Sequence, residues 1–159
     1  MRRDELEHLL RAAATIAERR DVVVLGSQAI LGTYDEDQLS DAATMSVEAD
    51  LAFIDDDDLS IADRVDGVIG EDSQFYRTHG FYGQGVAISV AILPDNWFDR
   101  VVILEGFNTE PGRGLCLDQS AGAPSDVVAA QVTRIDRAPR PLAAENERHL
   151  SLTPRISSS

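Results

Sequence analysis

The sequence predicts an α/β (α+β) fold, a mixed β-sheet with flanking helices, from three observations. Near the N-terminus apolar residues recur at helical spacing. Two later runs, VVVL at 22–25 and VAISVAIL at 86–93, are continuous and rich in β-branched residues, as in buried strands. A second helical pattern falls between those runs. At 159 residues the chain is of ordinary single-domain size and can bury one core without disulfides or metals.

Each element follows in order. Leu6, Leu9, Leu10, Ala13, Ile16 and Ala17 mark an amphipathic helix over residues 3–20, with acids in its first turn and Arg19-Arg20 in its last. Asp21 leads into the first strand, which ends in Gly26-Ser27 and turns at once into a short helix over 28–31. Residues 32–40 are polar and read as a loop. The segment MSVEADLAFI, 45–54, alternates as a second strand and closes in four consecutive aspartates, 55–58. Residues 59–69 read as a helix, with Asp57 or Asp58 as its N-cap. Residues 70–85, rich in glycine, aromatic and polar residues, read as a loop between core elements. VAISVAIL gives a third strand, Pro94-Asp95-Asn96 a turn, 97–105 a fourth strand and 114–117 a short fifth.

Beyond Asp118 the composition changes, with four of the six prolines and few large apolar residues. The expected organisation is therefore a core over 1–118 and a divergent C-terminal segment over 119–159. That segment is expected to carry one helix at 124–135 and then a mobile, arginine-containing tail.

Acidic residues number 28 against 14 basic ones, all of them arginine, for a formal charge of −14. This balance argues against a histone-like or tail-type nucleic-acid binder, because nonspecific affinity comes from cations neutralising phosphates; DNA is not an expected partner. The absence of lysine excludes a Schiff-base lysine, a P-loop lysine and a lysine general base. The single cysteine, Cys116, has no internal partner, and no stretch reaches the length of a membrane span. The N-terminus is charged rather than an apolar signal region, so the expectation is a cytoplasmic chain with no membrane partner.

Two short motifs carry chemistry. Gly26-Ser27, where a buried strand turns into a helix, would direct backbone N–H groups and a positive helix end at an anion. On the next strand Glu48 and Asp50, two residues apart, project from one face. Paired carboxylates are costly unless a cation joins them, and Mg²⁺ or Mn²⁺ bridging to nucleotide phosphates is the expected solution. Glycine-serine for phosphate with acid-x-acid for metal makes a minimal phosphoryl-transfer site.

These elements, Leu25-Gly26-Ser27 and Glu48-Ala49-Asp50, resemble the DNA polymerase β-like nucleotidyltransferase superfamily, with its hG[GS] turn and [DE]h[DE] pair. More closely, VVVLGSQAILG, SVEADL, IGEDSQFYRTHGFYGQGV, ILPDNWFDRVV and GLCLD resemble an uncharacterised bacterial branch related to the AbiEii-type nucleotidyltransferases, several of which act as toxins in toxin–antitoxin pairs. The likeness spans residues 4–118, about three quarters of the chain. It implies a nucleotidyltransferase-like sheet, Glu48 and Asp50 as catalytic metal ligands, and transfer of a nucleotidyl group from a nucleoside triphosphate. The implied acceptor is a tRNA or other RNA, a protein or a small molecule, and the implied protein partner is an antitoxin. The pattern departs from the family in two places. Where a third carboxylate is expected, VAISVAIL offers Ser89 and Ala91, and the C-terminal helix offers Asp126, Gln131, Arg134 and Asp136 but no lysine. The alternative is a catalytically degenerate nucleotide-binding or protein-interaction module; a dimeric scaffold is a third reading.

Other residues carry weaker signals. Asp55–Asp58 are four acids pointing in different directions, and a helix N-terminus explains them better than a metal does. Glu71, Ser73, Tyr76, Arg77 and His79 fall in the polar-aromatic loop, where Arg77 is a candidate phosphate contact and His79 a substrate contact. His8 and His149 have no visible partner, Trp97 reads as a packing residue, and Cys116 between two leucines reads as buried.

Overall fold

The computed structural model describes residues 1–34, 36–93 and 95–117. The expected helix at 124–135, the tail after it and His149 lie outside the described residues.

Helix α1, Arg3–Ala17, opens with a capping box in which the Arg2 N–H donates to Glu5 Oε2 at 2.7 Å. It ends three residues short of the expected boundary because Glu18 turns left-handed at φ 55°, which leaves Arg19 and Arg20 outside the helix. Strand β1, Asp21–Leu25, runs into a seven-residue 3₁₀ segment, Gly26–Gly32. The single-turn helix α2, Asp41–Thr44, precedes β2, Glu48–Ala52. Helices α3, Ser60–Ile69, and α4, Gln74–His79, lead to β3, Tyr82–Gly85. Strands β4, Val101–Leu104, and β5, Arg113–Leu117, complete a five-stranded mixed sheet of order β3-β2-β1-β5-β4. β1 is parallel to β5 and antiparallel to β2; β2 is parallel to β3, and β4 antiparallel to β5. The α/β class expected from the sequence is the one observed.

The two faces of the sheet are covered differently. Val22, Val24, Ala49, Leu51 and Cys116 pack against Leu6, Leu9 and Leu10 of α1 and Ile61, Val65 and Ile69 of α3. Each such large aliphatic side chain contributes about 1.5 to 3 kcal/mol on full burial. On the opposite face Val23, Leu25, Ala52 and Leu115 are covered by Val86, Ile88, Ala91, Leu93 and Trp97, which come from an irregular segment rather than a helix.

That covering segment corrects the expected third strand. After a last ladder bond from the Val86 N–H to the Leu51 carbonyl, the chain leaves the sheet and crosses its face with a 3₁₀ turn at Ile88–Val90. Residues 86–93 are apolar because they cover a sheet face, not because they join the sheet. The strand beside β2 is instead YGQG, inside the expected loop at 70–85, which also contains α4. A Cβ at Gly85 would stand 2.0 Å from the Ala62 carbonyl oxygen, so glycine there lets α3 lie directly on β3. The expected strand at 97–105 is a 3₁₀ turn followed by the shorter β4.

The start of α3 differs in a way that bears on the acids. The N-cap position is Leu59, left-handed at φ 60°, and neither Asp57 nor Asp58 occupies it. The buried Asp56 folds back and accepts from the N–H groups of Ile61 at 3.0 Å and Ala62 at 2.8 Å, while Asp58 accepts from Ser60 N–H at 3.1 Å. The expectation that a helix start explains the aspartate run holds for these two residues.

Candidate functional site

The two motifs meet where β1 ends. In the β1–β2 register Leu25 lies opposite Asp50, so the next residue, Gly26, turns over the Asp50 carboxylate. A Cβ built on Gly26 would sit 3.2 Å from Asp50 Oδ2, and Gly26 has φ +68°. Glycine is favoured twice over, for the left-handed backbone and for the close approach. Ser27 is exposed on this turn, and its Oγ accepts from Gln28 Nε2 at 3.3 Å. Gln28 itself is 2% exposed, and its Oε1 has no hydrogen-bond partner.

Strand alternation places Glu48 and Asp50 on the same side as Ala52, the face not covered by α1 and α3. Register then adds two residues from β3: Tyr82 opposite Glu48 and Gln84 opposite Asp50. The Tyr82 hydroxyl donates to Glu48 Oε2 at 3.0 Å. Burial and then the charge of Glu48 push the Asp50 carboxyl up to about 6. Among the described residues no arginine forms an ion pair with either carboxylate.

The position beside Asp50 where a third acid was sought therefore belongs to Gln84 rather than to Ser89 or Ala91. No group of three or more His, Cys, Asp or Glu side chains suited to a metal occurs among the described residues. A two-carboxylate site is what remains. Its donors are hard oxygens, which suit Mg²⁺ or Mn²⁺. Two observations fit a cation with a phosphate ligand there. Among the described residues no cation pairs with Asp50, and the glycine turn leaves its Oδ2 uncovered by any side chain at position 26. The expected helix dipole is a weaker contributor than supposed, because Gly26–Gly32 is one short 3₁₀ segment.

The remaining sequence-derived candidates sort as follows. Arg77 lies exposed on α4, and its Nη2 donates to the Asp72 carbonyl at 2.9 Å, within its own approach to the helix. Ser73 caps that helix, accepting from the Tyr76 N–H at 3.1 Å and donating to the Gly70 carbonyl at 2.6 Å. His79 meets His8 of α1 edge to face, ring centroids 4.7 Å apart, with Phe75 and Phe81 around them. His8 thus has a partner after all, and His79 belongs to the helix-covered side rather than to the carboxylates. Burial, Arg11 and His79 together lower the His8 pKa. Trp97 packs in the second apolar cluster, and burial pushes the Cys116 thiol up to about 12, an inert core group. Tyr82, Gln84 and Gln28 were not legible as site residues; YGQG has no strand periodicity, and a buried glutamine beside a serine has no local signature.

No helix among the described residues is long and apolar enough to cross a membrane. The chain matches no protein-family model, no curated protein and no solved structure.

Proposed function

We propose that the chain binds a nucleoside triphosphate with Mg²⁺ or Mn²⁺ at the junction of Gly26-Ser27 with Glu48 and Asp50, and transfers a nucleotidyl group. The observation that carries this reading is the meeting of the two motifs: Leu25 pairs with Asp50, and a Cβ at Gly26 would stand 3.2 Å from Asp50 Oδ2. In it Glu48 and Asp50 are the metal ligands and Ser27 holds phosphate, while Arg77, the other candidate phosphate contact, is bonded to the Asp72 carbonyl. A metal bound there would neutralise phosphate charge and polarise a phosphoryl oxygen. The acceptor hydroxyl oxygen bonds to the α-phosphorus, pyrophosphate leaves, and the hydroxyl proton passes to a carboxylate or to solvent. The acceptor class is an RNA, a protein or a small hydroxyl compound in the cytoplasm. A tRNA would have to approach against a chain of formal charge −14, so the toxin reading, with its antitoxin partner, requires a local arginine patch.

A second reading is favoured by Gln84 opposite Asp50 and by the missing lysine: a degenerate module that binds nucleotide or protein without transfer. The two are separated by incubating the chain with labelled nucleoside triphosphates, Mn²⁺ and total RNA or protein. Transfer that falls at least about 100-fold in Glu48→Ala and Asp50→Ala supports the enzyme. Labelling that survives both substitutions removes the assigned site. Triphosphate binding by calorimetry without any transfer favours the module.

A further inference from the structure

Strand β4 is the last in the sheet, and its outer edge is open. β5 lies on one side of it, and among the described residues no strand pairs with the other side. Its residues, Val101-Val102-Ile103-Leu104, include no charge and no proline, the features that discourage further pairing at a sheet edge. Ile103 pairs with Leu115 and so lies on the face covered by residues 86–97, yet it is 47% exposed while Leu104 next to it is buried. Phe98 and Phe107, flanking the strand in sequence, are exposed as well. An open edge with unpaired backbone groups accepts another strand. We propose that it accepts β4 of a second copy, antiparallel, which joins the two five-stranded sheets into one continuous sheet across a two-fold axis.

Symmetry and charge together select the register. Residues directly opposite in an antiparallel pair point to the same face, while neighbours along a strand alternate. The axis that exchanges two identical strands therefore passes beside one residue and its own counterpart, and at the centre of Val101–Leu104 that residue is Val102 or Ile103. With Val102 on the axis, Asp99 of one copy would stand against Glu105 of the other, like charges between two chains of formal charge −14. With Ile103 on the axis, Val101 faces Glu105 instead, and Arg100 of each copy comes beside Glu105 of the other. Arg100 forms no ion pair among the described residues. Glu105 is a half-exposed carboxylate whose own-chain partners, Arg20 and Arg113, stand at 3.4 and 4.0 Å. The strand is thus complementary to itself in charge at both ends. The Ile103 register also sets the half-exposed Ile103 side chains against each other, extending the apolar cluster of Val23, Leu25 and Leu115 across the axis.

The test is sedimentation velocity of the full chain over a range of concentrations, with cysteine cross-linking to read the register. Wild type should associate to a dimer, and Ile103→Lys, which places a charge on the axis, should weaken that association at least about 10-fold. Opposed Cα atoms of an antiparallel pair lie about 4.5 to 5.5 Å apart, within the span of a disulfide. Ile103→Cys should therefore form a covalent dimer under mild oxidant, and Val102→Cys should not. The native Cys116 is buried, with its thiol pushed up to about 12, and stays silent in that assay. Cross-linking through position 102 and not 103 overturns the register and the charge argument behind it. A dimer that Ile103→Lys leaves unchanged and that cross-links at neither position forms through another surface, which overturns the proposal. So does a chain that stays monomeric at every concentration; slow hydrogen exchange at Val101–Leu104 in such a monomer would assign the edge to residues 118–159 of the same chain.

Discussion

Asp50 and Asp56 are close neighbours in sequence, and the fold treats their carboxylates in opposite ways. Asp56 is buried at the start of α3, where two backbone N–H groups, from Ile61 and Ala62, donate to its two oxygens. Asp58 beside it accepts from Ser60, and that hydrogen bonding lowers its pKa. Asp50 is offered a second carboxylate and a glycine turn instead, and its pKa rises to about 6. The four-aspartate run is the most acidic stretch of the chain, yet two of its members, Asp56 and Asp58, serve a helix end. The sparser pair on β2 is the one that no cation joins among the described residues. Charge density in a sequence therefore identifies a binding site poorly; what distinguishes one is whether the backbone has already supplied the donors.

The comparison can be broken most forcefully at Asp56. Asp56→Ala leaves two N–H groups at the start of α3 without acceptors, and chemical denaturation should show a loss of about 2 to 3 kcal/mol. Asp56→Asn, which keeps one acceptor oxygen, should lose less. Equal and negligible losses in both would show that the carboxylate does not hold the helix end.

Asp50 should behave with the opposite sign. Its folded pKa lies above its value in the unfolded chain, so the folded state binds the extra proton between about pH 4 and pH 6 and this group's contribution to stability falls as pH rises through that window. Asp50→Asn should therefore stabilise the metal-free protein at pH 7 by about 1 to 2 kcal/mol, a range already reduced for partial solvent access to the carboxyl. The gain should vanish near pH 4. Denaturation midpoints in chelator across that pH range check it, and a variant less stable than wild type at pH 7 would show that Asp50 is satisfied by the fold.

Asp58→Ala is the smallest expected effect. The lowered pKa makes Asp58 a contributor present above the ordinary carboxylate range and lost as pH falls through the depressed value. A slight drop in the thermal midpoint at pH 7, absent in strong acid, would sharpen the contrast with Asp50.

Legibility followed locality. The heptad-like spacing of Leu6, Leu9, Leu10 and Ala13 announced α1, and VVVL before a glycine announced β1, because each element's burial is written in its own residues. Glu48 and Asp50 were readable as one-sided because alternation is a property of any strand. β3 was missed because its glycines answer to Ala62 of α3 and Leu51 of β2, and VAISVAIL was misread because a chain covering a sheet is as apolar as a chain within one. Asp56 was passed over as a cap because the left-handed Leu59 brings it within reach from a position that the N-cap rule does not consider.

The sequence by itself determined the α/β class, the strand-end Gly26-Ser27, the shared face of Glu48 and Asp50 and the exclusion of lysine chemistry. These depend on residue identity and on the fixed periods of helix and strand. Only the tertiary structure decided that Gly26 lies on Asp50, that Tyr82 takes one oxygen of Glu48, and that Gln84 rather than an acid faces Asp50. Those are matters of strand order and register, set by long-range pairing among β1, β2 and β3, which no local pattern encodes.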